Sequence, residues 1–246
     1  MNGSLKRQIL SNFAFILLFS CIFAIYCQIA IYFFNNTKVI SENTAASSNL
    51  SDKLIVLDAG HGGEDGGTVG VNGIYEKILN LQMSEAIGDY LRFAGFEVVQ
   101  TRTEDIMLYD KSSDFKGKKK MLDLAARLEM AEELLPDLFI SIHMNSFPDG
   151  KYSGLTVYYS PNDTRSQTIA ELMRADVITH LQPWNKRELK RAGSNIYLLD
   201  RLKSPSVLVE CGFLSNAVEC ELLSKSEYQH KLSLVLFSSV SSFFEE

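Results

Sequence analysis

The stretch Leu54-Ile55-Val56-Leu57-Asp58-Ala59-Gly60-His61-Gly62-Gly63 decides how this chain is built. Four aliphatic residues in a row read as a buried strand, and the glycines that follow let the backbone turn tightly around a histidine. Outward from it, short apolar runs recur at 97–102, 138–143, 155–160, 196–199 and 207–210. Longer amphipathic segments lie between or beyond them, at 76–93, 121–134, 165–180 and 227–243, with a short turn near 217–223. Strands of four to six residues alternating with helices predict a single α/β domain with a mostly parallel central sheet covered by helices. In open sheets of this kind ligands gather beyond the strand ends, so the polar residues that terminate the runs are the ones to examine.

Four such positions stand out. His61 sits in the glycine loop after the first strand, and Glu76 opens the helix that follows. His143 ends Phe139-Ile140-Ser141-Ile142-His143, and Glu210 ends Val207-Leu208-Val209-Glu210. Two histidines and a glutamate are a standard catalytic zinc set with the fourth position open. Zinc lowers the pKa of its water to about 7, and a further carboxylate can take that proton during attack on a carbonyl. Residue types alone leave a structural role open for each of the four. A histidine after a strand is often structural, and Glu210 could cap a helix or pair with a lysine. The glycine loop lacks the Lys-Ser/Thr of a P-loop and the spaced glycines of a dinucleotide site.

The remainder of the chain bounds the class. With 246 residues there is room for one domain and an appendage. The 24 Lys and Arg against 30 Asp and Glu give a formal charge of −6, which argues against a nucleic-acid partner. Four cysteines are too few for a disulfide scaffold, and Cys211, next to Glu210 on a strand, reads as a core thiol facing the other way. No charge interrupts the chain between Arg7 and Lys38, and the apolar run 13–34 is long enough to cross a bilayer. Residues 1–8 then form a cytoplasmic tail and 9–34 an uncleaved transmembrane anchor. Residues 35–52 form a flexible tether, and 53–246 the folded domain, held outside the cytoplasm. Lys186, Arg187, Lys190 and Arg191 cluster beside Trp184, either as a lip that grips carboxylates or glycan or as a solvated loop. The run Lys116-Gly117-Lys118-Lys119-Lys120 reads as a solvated approach to a helix.

Four ordered blocks add to this reading: Asp58-Ala59-Gly60-His61-Gly62-Gly63-x-Asp65-x-Gly67, Glu76-Lys77, Ser141-Ile142-His143-x-Asn145-Ser146 and Val209-Glu210-x-Gly212-Phe213-Leu214-Ser215-Asn216. They resemble the zinc-dependent N-acetylmuramoyl-L-alanine amidases of the amidase-3 family, over essentially the whole segment from Leu54 onward. Thr101-Arg102-x-x-Asp105, Arg127 and Arg187-x-x-Lys190 match as well. The resemblance implies a zinc amidase catalytic domain at 53–246, with one zinc ion held by His61, Glu76 and His143. Glu210 becomes the catalytic carboxylate, and Asn145, Arg187 and Lys190 become substrate-binding residues. The substrate implied is peptidoglycan, cut between N-acetylmuramic acid and the L-alanine of the stem peptide. The layout is similar to the short, membrane-anchored spore-cortex type, which implies single-pass localisation at the cell membrane, facing the forespore intermembrane space, and an activator protein as a candidate partner. Competing readings are a zinc peptidase or deacetylase acting on another wall substrate, and a catalytically decayed wall-binding module.

Overall fold

The structure, a computed structural model, describes residues 50–110, 112 and 117–245. The expected tail, the anchor at 9–34 and residues 35–49 of the tether lie outside the described residues. Among those described, no helix is long and apolar enough to cross a membrane.

The chain runs β1 (Leu54–Ala59), α1 (Glu76–Phe93), β2 (Glu97–Gln100), α2 (Lys119–Leu134), β3 (Leu138–Asn145), β4 (Thr156–Tyr159), α3 (Arg165–His180), β5 (Lys190–Arg191), α4 (Tyr197–Arg201), β6 (Ser206–Phe213), α5 (Ala217–Leu223) and α6 (Ser226–Glu245). Six strands form one sheet in the order β2-β1-β3-β6-β4-β5. The pairs are parallel except β4 with β6, so the expectation of a mostly parallel α/β sheet holds.

Alternation along β1 divides the core. Ile55 and Leu57 join the cluster built with α1, α3 and α6, while Val56 joins Phe139, Ala131 of α2 and Leu198 and Leu199 of α4. On α1 the buried Leu79, Met83, Ile87 and Leu91 recur every four residues, which gives the helix one apolar stripe to lay against the sheet. Cys211 is fully buried, as its position beside Glu210 predicts, and it and Cys220 are free thiols.

One expected strand is a helix. Residues 196–199 read as extended because four residues carry no charge, yet 197–201 form α4. Leu198, Leu199 and Leu202 all face the same core cluster, a spacing that fits one side of a helix. A strand would have turned Leu198 and Leu199 to opposite faces. The sheet edge is instead closed by the two-residue β5, whose Lys190 and Arg191 pair with Tyr158 and Tyr159 and carry no apolar signal. The third apolar run extends beyond His143 to Asn145 through an irregularity in register.

Candidate metal centre and active site

From β1 the chain steps to β2 on one side and then crosses to β3 on the other. The carboxyl ends of β1 and β3 therefore flank a topological switch point, where a crevice must open. His61 follows β1 after Gly60, His143 lies near the end of β3, and Glu210 stands opposite His143 on β6. The fold thus brings three of the four singled-out residues to adjoining strand ends, and α1 opens with the fourth, Glu76.

His61 adopts φ +62°, a left-handed backbone that costs a residue with a side chain about 1–2 kcal/mol. Two buried guanidiniums hold it there. Arg127 donates to the carbonyls of Ala59 (2.8 Å) and His61 (2.7 Å), and to Asp58 (2.5 Å) and Asp123 (2.8 Å). Arg102 donates to the carbonyls of Ala59 (2.8 Å), Gly60 (3.0 Å), Lys77 (2.8 Å) and Glu104 (3.0 Å). Each carbonyl from 59 to 61 is therefore tied to a fixed cation. Asp58 also accepts hydrogen bonds from Thr101 (2.8 Å) and Ser141 (2.6 Å), so the charge beneath the loop is balanced and saturated. Burial works against its carboxylate, but the charge of Arg127 and the Ser141 hydrogen bond outweigh that and hold its pKa below the usual range.

Above this base, donor atoms of His61, Glu76 and His143 all lie within 4.8 Å of one another. Oε1 of Glu76 is 3.3 Å from His61 Nε2 and 3.0 Å from His143 Nδ1. Zinc takes such nitrogen and oxygen ligands at roughly 2.0–2.2 Å, which puts tetrahedral neighbours about 3.3 Å apart. The donor set and its spacing fit that ion. Backbone N–H groups of Met144 and Thr68 fix the two carboxylate oxygens of Glu76, at 3.1 and 2.9 Å. Burial penalises this carboxylate, but hydrogen bonds from the two histidines hold its pKa far below the ordinary value. On the outer side His61 Nδ1 lies 2.9 Å from Asp65, a carboxylate–histidine contact of the kind that orients a ligand ring. Burial would lower the pKa of His61; Glu76 and Asp65 together raise it. Glycines floor the site. A Cβ on Gly60 would stand 2.2 Å from His143 Cε1 and Nε2, and one on Gly67 only 2.6 Å from a Glu76 oxygen.

Two clefts meet at this group. One, of about 250 Å³, runs over Ser141 and Leu208 toward Asn195 and Tyr197; the other, of about 390 Å³, runs past Thr68 to Asn145 and Ser146. His61, His143 and Glu210 line both. Glu210 Oε2 is shielded and has no hydrogen-bond partner among the described residues. Its carboxyl is pushed up to about 7, chiefly by burial, with His143 opposing and Glu76 adding to the rise. A carboxyl poised there can both accept and return a proton near neutral pH.

Of the remaining expected residues, Asn145 lies in the second cleft. Arg187 does not reach either cleft; it packs over Phe213 at 4.3 Å and donates to the Ser153 carbonyl at 2.8 Å. Lys190 lines neither, and donates to the Tyr158 hydroxyl at 3.3 Å. The lysine run is not simply solvated: Lys119 pairs with Glu64, and Lys120 lies 3.3 Å from Asp65 and lines both clefts. Asn195 and Tyr197 also line the first cleft; the apolar run at 196–199 predicts a sheet strand rather than a cleft wall, so neither is signalled by the sequence.

The profile of the family described as N-acetylmuramoyl-L-alanine amidase (Amidase_3) matches residues 55–241. The chain belongs to that amidase family. Among curated relatives of this amidase, the germination-specific N-acetylmuramoyl-L-alanine amidase of Bacillus subtilis is 33% identical over 197 residues, covering 80% of this chain and 82% of its own. The solved CwlD amidase of Clostridioides difficile, in complex with the GerS lipoprotein, superposes with a TM-score of 0.75 at 32% identity, covering 79% of this chain and 99% of that one. The catalytic domain of CwlV from Bacillus (Paenibacillus) polymyxa gives 0.65 at 29% identity, with 78% and 98% covered.

Proposed function

We propose that this amidase hydrolyses the amide between the lactyl group of N-acetylmuramic acid and the L-alanine of the stem peptide, on spore-cortex peptidoglycan. The observation that carries this is the convergence of His61, Glu76 and His143 beside Glu210, whose Oε2 has no hydrogen-bond partner among the described residues, in a chain that matches the family over residues 55–241. His61, Glu76 and His143 would hold one zinc ion, which supplies Lewis acidity and a water acidified to about pKa 7. Glu210 takes the proton of the attacking water and delivers it to the departing L-alanine nitrogen. The ordinary carboxylate pKa would suit only the first of these tasks, and burial of Glu210 brings the second within reach. Asn145 lines the second cleft and Lys120 lines both, which supports a part for them in orienting the glycan and stem peptide.

The cortex assignment is supported by the likeness to the germination-specific relative. The uncharged run at 13–34 and the polar stretch after it support a tethered protein facing the forespore intermembrane space. The lipoprotein complex of the clostridial relative supports an activator or stabilising partner of that chemistry.

The test is digestion of purified peptidoglycan, with and without added zinc, by wild-type protein and Glu210→Gln. Free lactyl carboxyls together with new L-alanine amino termini are expected from wild type. The near-isosteric amide should keep zinc and fold while turnover falls by about 10²–10⁴ or more. New amino termini elsewhere in the peptide, or deacetylated sugar, would overturn the substrate. Full zinc with near-normal turnover in the variant would remove Glu210 from its role.

A further inference from the structure

A third cleft, of about 490 Å³, shares no residue with the two at the metal group. Lys151, Tyr152, Trp184, Lys186, Arg187 and Glu188 line it. Its floor is rigid. Arg187 spans from the Ser153 carbonyl to the Phe213 ring, its own N–H bonds to Asn185 Oδ1 at 2.9 Å, and its carbonyl accepts from Arg174 at 2.6 Å. Asn185 is buried and ties the loop to the Leu155 carbonyl at 3.0 Å. On this base Trp184 is 49% exposed, an amphipathic ring held on a fixed loop and left open to solvent. The lining carries three cations, of which Lys151 is paired with Asp149 at 2.6 Å and Lys186 stands exposed, and one carboxylate, Glu188, 3.7 Å from Arg174.

The cleft is also connected to the chemistry. Tyr152 on its rim meets Phe147 edge to face at 4.7 Å, and Phe147 directly follows Asn145 and Ser146 of the second cleft. One ring contact and the chain itself therefore link the segment that ends the second cleft to Tyr152, which shares the third cleft with Trp184. Hydrolysis of a lactyl amide adds hydroxyl to the acyl carbon and sends the nitrogen away with a proton. Each turnover thus leaves a sugar bearing a carboxylate where a neutral amide had been.

We infer that this cleft is a subsite for a saccharide carrying a free carboxylate, with the sugar face on Trp184 and the anion among Lys186, Arg187 and Lys151. It rests on the amidase reading above and extends it: the enzyme holds strand that it has already trimmed while the next stem peptide enters the metal cleft. Carboxylates of the stem peptide share part of this chemistry, but they lack the pyranose face that an exposed indole fits.

Trp184 is the single tryptophan of the chain, so its emission reports on this cleft alone. Full-length Glu210→Gln protein is titrated with peptide-free muramyl glycan, with a neutral N-acetylglucosamine oligomer of equal length, and with free stem peptide. The expected result is a saturable change with the anionic glycan, weaker as salt rises, and little with the other two. Lys186→Ala should weaken that binding about twofold to fivefold, the range for one exposed ion pair, and Lys186→Glu more. No response to anionic glycan, an equal response to the neutral oligomer, or tighter binding of the stem peptide would overturn the inference. Wild-type hydrolysis of peptidoglycan is measured alongside. Normal hydrolysis with a silent Trp184 refutes the subsite alone, whereas absent hydrolysis refutes the amidase reading.

Discussion

Replacing Gly60 by alanine tests the architecture of the metal site with one methyl group. The added Cβ would lie 2.2 Å from two atoms of the His143 ring, where ordinary contact begins near 3.4 Å. Ring or backbone must therefore give way by about 1.2 Å, the difference between those two distances. The backbone cannot retreat easily. The Gly60 N–H bonds to the Ile142 carbonyl at 3.1 Å, and its carbonyl accepts from Asn80 and Arg102, both at 3.0 Å. The ring has Glu76 at 3.0 Å from Nδ1 and the His61 ring 5.0 Å away by centroid. Overpacking of this kind costs about 1–3 kcal/mol. A ligand displaced by an ångström falls outside the roughly 0.2 Å tolerance of a zinc bond, so zinc affinity should drop by about 10²-fold or more. Chelator competition measures that loss, and a thermal melt in excess chelator measures stability without metal. Gly73→Ala is the control: φ there is +87° but nothing lies within 4 Å, so it should cost about 1–2 kcal/mol and leave zinc affinity alone. A Gly60→Ala protein that binds zinc as wild type does would refute the placement of His143 as a ligand.

Arg102→Lys keeps the charge but cannot span four carbonyls, and each buried acceptor left unpaired costs about 1–3 kcal/mol. A loss of about 2–4 kcal/mol is expected, roughly 5–15 °C in Tm for a domain of this size, together with weaker zinc binding; an unchanged melt and unchanged zinc affinity would contradict the clamp. Acid should act through Asp58. Its folded pKa lies below its ordinary 3.8, so it contributes stability that is complete above that value and is lost as pH falls through the lower folded one. Asp58→Asn should be less stable at neutral pH and show a shallower decline below about pH 4; melts of both proteins from pH 7 to 3 check this, and parallel acid limbs would show that Asp58 is not a major contributor.

The sheet and the four central polar residues were legible because each lies where a run of buried aliphatic residues stops. In the sequence pattern His61, His143 and Glu210 each close an aliphatic run and Glu76 opens a helix, which already implied a shared end of the sheet, although β3 runs on to Asn145 and β6 to Phe213. The features that the sequence does not announce depend on contacts made across the chain. Ile196-Tyr197-Leu198-Leu199 is too short for periodicity to tell helix from strand, and only the shared burial of Leu198, Leu199 and Leu202 resolves it. The two-residue β5 is made of charged residues and announces nothing. Lys120 sits in a run that looks like surface charge, and its meeting with Asp65 is made by the approach of α2 to the loop after β1. Arg187, which the resemblance gives to the substrate, is held against Phe213 and Ser153 and lines a separate cleft, a placement made by packing across the chain that its spacing does not announce.

The carbonyl clamps made by Arg102 and Arg127 bear on how the protein acquires its metal. Many small metal domains take shape only as the ion arrives, so loading and folding are one event. Here the strained turn at His61 is held by two side chains that owe nothing to the ion, and Glu76 is oriented by backbone N–H groups. These supports of the cage are thus independent of any ion, which predicts a cage formed before it is filled. A molecule stripped of an ion at this site is then expected to keep its shape, with exchange set by diffusion and ligand replacement rather than by refolding.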